Sequence, residues 1–229
     1  MRRALSPFKG KPFLQHILDT VSELHPPIQP VIVVGHKKER IFEVIGEGQK
    51  YAHQAEQLGT GHAVSSAKDS MHPEYDIVLV LSTDQPLISK ETITSIIKKH
   101  KESKPAITMG TIIVPDYLQW RAGMMNFGRI IRSADGTVEK NVEFKDATDA
   151  EKGLKEVNPA IYCFDRQWLW GNINALKNDN AQGEYYLTDL IGLARSQGKS
   201  VEAVPVANIM EGIQPNSKQE LALLEELTA

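Results

Sequence analysis

Apolar positions along the chain fall into alternating helical and strand patterns. From Phe13 to Leu24, apolar residues recur at Phe13, Leu14, Ile17, Leu18, Val21 and Leu24, which is helical spacing with Pro12 at its head and Pro26-Pro27 beyond its end. Val31-Ile32-Val33-Val34 is a β-branched run closed by Gly35 and predicts a short buried strand. Helical patterns follow over Lys38 to Ile45 and, after the turn Gly59-Thr60-Gly61, over His62 to Lys68. Ile77-Val78-Leu79-Val80-Leu81 is the strongest strand signal and runs directly into Ser82-Thr83-Asp84. Ser89 to His100 predicts a helix with a capping serine and Glu91 in its first turn, and Ala106 to Val114 a further strand. Gln182 to Ser196 and Lys218 to Leu227 have helical spacing. Such alternation predicts βαβ units, hence an α/β fold with a mostly parallel, mixed sheet flanked by helices. From Gly128 to Phe164 the segments shorten, and Asp135-Gly136 marks a hairpin, which predicts a mixed lobe over the sheet.

Composition narrows the class. In 229 residues, 41% are hydrophobic and 24% charged, the ordinary balance of a globular domain. The net charge of -3 gives no basic field for nucleic acid. No apolar stretch is long enough to span a bilayer, so no membrane partner is expected. The single cysteine, Cys163, excludes an intramolecular disulfide and suits a reducing cytoplasm; its place in Ile161-Tyr162-Cys163-Phe164 assigns it to the core. We read residues 1–229 as one domain in two parts, over about 1–115 and about 116–229.

Candidate chemistry lies in the segments that join these elements. Asp84, just past a buried strand, is placed either to hold a hard cation or to form an Asx turn ahead of Pro86. The run Gln54-Ala55-Glu56-Gln57-Leu58-Gly59-Thr60-Gly61 offers two amides able to pair with a base edge and glycines that let backbone approach a ligand. Gly128-Arg129-Ile130, Glu143 to Thr148, Asn158 and Ala181 to Asp189 are rich in short polar groups able to bind hydroxyls and amides.

These strings together carry a family resemblance. Gln54 to Ala63, Val142-Glu143-Phe144-Lys145-Asp146-Ala147-Thr148-Asp149 and Asn180 to Asp189 resemble the N-terminal domain of bifunctional N-acetylglucosamine-1-phosphate uridyltransferases, in that family's order and spacing. Gly10-Lys11-Pro12, Val34-Gly35-His36, Asp84 to Ser89 and Phe127-Gly128-Arg129-Ile130 extend the likeness over nearly the whole chain. The resemblance implies a Rossmann-like nucleotide-diphospho-sugar transferase that joins UTP to N-acetylglucosamine 1-phosphate with Mg²⁺. By matching positions it implies that Gln54 and Gln57 read the base while Gly59 and Thr60 support the nucleotide. Gly128, Glu143 and Asn158 would bind the sugar, with Tyr186 and Thr188 lining that side. Asp84 and Asn216 would hold the metal, Gln214 being the competing alignment to Asn216.

The sequence departs from the pattern at its start. The family's opening strand and glycine-rich phosphate loop have no counterpart here, and the catalytic lysine position falls on Arg3, a planar fork in place of a compact charge. Ser82-Thr83 stands where the family has Tyr-Gly, and Pro159-Ala160 where it has Thr-Gly. No acetyltransferase β-helix follows Ala229, so a monomer or weak dimer is expected. Two other readings remain: a relative that binds nucleotide sugars without catalysis, and a same-fold nucleotidyltransferase for another sugar phosphate.

Overall fold

The computed structural model describes residues 3–36 and 38–229, with the side chain of Arg3 outside the described part. A small hairpin of β1 (Pro7–Phe8) and β2 (Lys11–Pro12) leads into α1 (Phe13–Glu23). Phe13, Leu14 and Ile17 of α1 are buried, as the spacing predicts. Burial at this level contributes about 1.5–3 kcal/mol per large apolar side chain. β3 (Val31–Val34) pairs in parallel with β4 (Lys50–His53) through α2 (Glu39–Ile45), and α3 (Thr60–Ala67) leads on to β5 (Ile77–Val80). α4 (Lys90–Ser103) begins at Ser89, whose hydroxyl accepts from Thr92 N at 3.1 Å.

β6 (Ile107–Ile113) is the spine of the larger sheet. β7 (Gly128–Arg132) and β8 (Val138–Val142) form the expected hairpin, turning at Gly136 with φ +84°. After α5 (Asp149–Lys152) come β9 (Glu156–Asn158), β10 (Tyr162–Asp165) and α6 (Arg166–Asn172). α7 (Asp189–Ser196), β11 (Val201–Pro205) and α8 (Lys218–Leu227) complete the chain. Among the described residues the larger sheet has seven strands in the order β5-β10-β6-β9-β7-β8, with β11 parallel to β6. The larger sheet is mixed: among the described residues its pairs are antiparallel except β6–β11, and the parallel pair β3–β4 forms a separate two-stranded sheet. The shorter strands after Gly128 do not form a lobe over the sheet; β9 pairs with both β6 and β7, so they extend it.

The arrangement around β6 divides the sheet. β11 occupies one edge of β6 along Ile107–Thr111. On the other edge β10 pairs with Ile107–Met109, and β9 pairs with Ile112–Ile113. The chain between them, residues 159–161, breaks the ladder there, and Ala160 takes a left-handed φ of +62°. The sheet therefore splays into two branches, β10–β5 on one side and β9–β7–β8 on the other.

Two buried features support this frame. Cys163 is fully buried and its thiol is pushed up to about 12 by burial, consistent with a core role. Arg129 on β7 is 0% exposed, and its guanidinium donates to the backbone oxygens of Met125, Phe127 and Lys152. It also lies 5.0 Å from the Tyr117 ring and 5.4 Å from the Phe144 ring. Helical spacing over Gln182 to Ser196 overstates α7, which begins at Asp189. Gly183 has φ +65°, and the segment after it is held extended against the Leu58–Gly61 turn. Among the described residues no helix is long and apolar enough to cross a membrane.

Candidate active site

The turn between β4 and α3 is closed by its own residues. Gln54 is buried; its Nε2 donates to Gly59 O at 3.1 Å and faces His62 Nδ1 at 3.2 Å. Gly59 has φ +106°, and a β-carbon there would lie 2.8 Å from both Glu184 Cβ and Tyr185 O. Only glycine fits both the conformation and the space. The turn is then stitched to the segment after Gly183. Gly61 N donates to Tyr185 O and Tyr185 N to Leu58 O, each at 2.8 Å, and Leu187 N donates to Thr60 Oγ1 at 3.0 Å. The Thr60 hydroxyl therefore anchors the segment that leads into α7. Gln57 is exposed and lies across Gly35, where its Nε2 would be 2.8 Å from a β-carbon. The two glutamines thus have different settings, Gln54 inside the turn and Gln57 over the end of β3.

On the β9–β7–β8 branch, side chains meet one another. Thr188 Oγ1 and Asn141 Nδ2 each donate to Glu143 Oε1 at 2.9 Å. Asn158 Nδ2 donates to Asn141 Oδ1 at 3.1 Å and to Tyr162 OH at 2.6 Å, and Asn158 Oδ1 accepts from Ala160 N at 2.9 Å. Asn141, Asn158 and Thr188 are all buried. Burial pushes the Glu143 carboxyl above its ordinary value, against the two bonds to Oε1 that favour the ionised form. Asp146 and Glu184 add to the upward push. Gly128 pairs with Asn158 across β7 and β9, and a β-carbon on it would lie 2.4 Å from Asn141 Oδ1. Tyr186 is buried beside this group but directs its hydroxyl elsewhere: it accepts from Gln182 Nε2 at 2.9 Å and donates to Asp146 Oδ2 at 3.3 Å.

The break between β9 and β10 draws in the third group. Pro159 O, left without a ladder partner, accepts from Gln85 Nε2 at 2.7 Å and from Gln214 Nε2 at 3.3 Å. The residues next to Asp84 and near Asn216 therefore converge on one carbonyl. Asn216 Nδ2 donates to Gln214 O at 2.9 Å, and the cap of α8 is Ser217. Gln85 is 0% exposed and its Oε1 has no hydrogen-bond partner among the described residues. Among the described residues no cluster of three or more His, Cys, Asp or Glu is arranged to hold a metal ion. The Arg3 side chain lies outside the described residues, and only its backbone, in the short turn Arg3–Leu5, is placed.

The structure brings Gln54, Gly59 and Thr60 into one turn, and Gly128, Glu143, Asn158 and Thr188 into one network. The residue that sequence reasoning misses is Asn141. Its signal was an amide two residues before Glu143, which on an extended chain shares that residue's face.

Known proteins share the family and the fold of this chain. A family model described as a MobA-like NTP transferase domain matches residues 2–187. Bifunctional protein GlmU of Brevibacillus brevis is 38% identical over 224 residues, and that of Bacillus cytotoxicus 40% identical over 224 residues. In both cases the match covers 97% of this chain and 47% of the relative, so the chain spans about half the length of those proteins. A UDP-glucose pyrophosphorylase structure with bound UDP-glucose superposes with a TM-score of 0.76 at 13% identity, over 99% of this chain and 89% of the other. A 4-diphosphocytidyl-2C-methyl-D-erythritol synthase from Anaerococcus prevotii gives 0.67 at 14% identity, over 97% and 91%. At these identities the structural matches speak for the fold.

Proposed function

The chain belongs to the MobA-like NTP transferase family, and within it we propose that this domain joins UTP to N-acetylglucosamine 1-phosphate, forming UDP-N-acetylglucosamine and pyrophosphate. The observation that carries the reading is the network around Glu143. A carboxylate with Oε1 occupied by two protein donors keeps Oε2 for sugar hydroxyls, beside a nucleotide turn hydrogen-bonded to the same segment. Identity to the GlmU proteins over nearly all of this chain supports it further.

In the proposed reaction a phosphate oxygen of the sugar phosphate attacks the α-phosphorus of UTP. The new P–O bond forms as the bond to the β-phosphate breaks, and pyrophosphate leaves opposite the attacking oxygen. No covalent enzyme intermediate is needed, so the protein's part is positioning and charge neutralisation. Gln54 and Gln57 would hold the base edge, Gly59 and Thr60 the nucleotide backbone, and Gly128, Glu143, Asn158, Tyr186 and Thr188 the sugar side. Arg3 would neutralise phosphate charge in the catalytic position. Asp84 and Asn216 would hold Mg²⁺: a carboxylate and an amide suit a hard cation that takes its remaining ligands from phosphates and water. Such an ion would offset charge developing on the phosphates. The lone buried Cys163 suits a cytoplasmic setting.

The deciding experiment is pyrophosphate release by the purified chain given UTP, N-acetylglucosamine 1-phosphate and Mg²⁺. Release that is lost in Asp84→Ala supports the reading. UDP-N-acetylglucosamine binding without release would replace it with that of a binding module. Faster release with another sugar phosphate would replace the sugar.

A further inference from the structure

The sugar-side network contains one residue whose presence the proposed reaction does not itself explain. Asn141 is buried near the end of β8, a strand position that ordinarily takes an apolar side chain. It fits because Gly128 faces it: a β-carbon on Gly128 would lie 2.4 Å from Asn141 Oδ1 and 2.6 Å from its Nδ2. The orientation of the amide is fixed by its neighbours. Turned over, its oxygen would face the Glu143 carboxylate and its NH₂ would face the NH₂ of Asn158.

The hydrogen-bond inventory then divides the roles. Asn158 has both Nδ2 hydrogens engaged, on Tyr162 OH and Asn141 Oδ1, and its Oδ1 on Ala160 N. Glu143 Oε1 is engaged by Asn141 and Thr188. Within this set the unengaged groups are Glu143 Oε2 and the second N–H of Asn141.

We propose that Asn141 is the positioning residue of the sugar side: it transmits the fixed geometry of Asn158 and Tyr162 to Glu143 and so aims Oε2 at the sugar, with Asn158 acting through it. The proposal rests on the sugar-phosphate reading of the site and adds to it the residue that links Asn158 to Glu143. The charged and titratable groups facing Glu143 are Asp146, Glu184, Asp189, Tyr162 and Tyr186, all of them acids. Asn141 is thus one of the two neutral donors that favour the ionised carboxylate.

The test compares Asn141→Leu with the wild-type chain by pyrophosphate release, varying each substrate in turn. The KM for the sugar phosphate should rise about tenfold, the effect of losing one hydrogen bond to a charged group, while the KM for UTP stays within about twofold. The acid limb of kcat/KM for the sugar phosphate should move to higher pH, a change that simple loss of packing would not produce. Asn141→Ser, which loses both bonds without placing an apolar group in the pocket, serves if the leucine variant does not fold. Folded variants with unchanged sugar-phosphate KM and an unchanged acid limb would overturn the proposal. If the wild-type chain releases no pyrophosphate, the function reading fails but this inference is still decided: the Glu143 carboxyl, titrated by carbon NMR, should ionise at higher pH in Asn141→Ser, and no shift would sink it.

Discussion

The two groups of candidate site residues are built in opposite ways. The proposed nucleotide turn, residues 54–61, is held mainly by backbone, Gly61 to Tyr185 and Tyr185 to Leu58, with the Thr60 hydroxyl taking Leu187 N and glycines where chains touch. The proposed sugar side is held by side chains bonding to side chains through Asn141, Glu143, Asn158 and Thr188. Backbone bonds are indifferent to most substitutions but intolerant of added atoms. A side-chain network keeps its shape under small backbone shifts yet fails when one partner is removed.

The sharpest way to break this contrast is Gly59→Ala. The added carbon meets backbone of Tyr185 within 2.9 Å at a φ of +106°. Strain and overpacking together should cost about 3 kcal/mol, lowering Tm by roughly 6–12 °C in a calorimetric scan. A Tm unchanged from the wild type would show that the turn is not pinned by close approach.

Next in size is Glu143→Gln. Activity with the sugar phosphate should fall by about 30-fold, mostly in its KM, as the charged acceptor is lost. Stability should move the other way. The folded pKa of Glu143 is raised, so the folded state binds this proton more tightly than the unfolded state. The penalty of ionising it is absent below the unfolded value and fully present above the folded one. The variant should therefore be the more stable protein at neutral pH, with its advantage fading as pH falls through the folded pKa. Paired urea titrations at neutral and acid pH would show this, and an advantage that grows in acid would contradict it.

Gln54→Ala probes the one buried side chain that closes the nucleotide turn. We expect a loss near 1 kcal/mol in stability and about a tenfold rise in the KM for UTP, with the sugar-phosphate KM unchanged. Equal changes in both constants would mean that the two sides are not separable. The smallest effect should come from Ala160→Gly, which relieves a left-handed backbone at φ +62° and should raise stability by about 0.5 kcal/mol. A lower Tm in that variant would show that the strain at the break between β9 and β10 is compensated locally.

The same contrast explains what could be read from the sequence. α1 and β5 are legible because burial imposes period and composition on consecutive residues. Gln54, Gly59, Glu143 and Thr188 stand in recognisable strings, so their grouping could be anticipated by resemblance. The splay of the sheet could not, because it depends on β9 and β10 sharing one edge of β6 while β11 takes the other, pairings between residues far apart in the chain. The start of α7 is misread for a similar reason: the spacing after Gln182 is helical, but the backbone there bonds to the Leu58–Gly61 turn. Asn141 is hidden by its context, since one amide in a short strand gives no periodic signal, and its meaning arises only from Gly128 across the hairpin.

The buried Arg129 has a practical consequence. A protease that cuts after basic residues needs an extended, accessible arginine or lysine, and the exposed Lys177, outside helix and strand, offers that in the native state. Arg129 is sequestered in a strand, its charge spread over backbone carbonyls and two rings. Cleavage after it requires β7 to leave the sheet. The peptide ending at Arg129 is therefore a clock for opening of the sugar-side branch, readable by mass spectrometry in the unlabelled, unmodified chain, and a bound ligand that holds that branch shut should slow it.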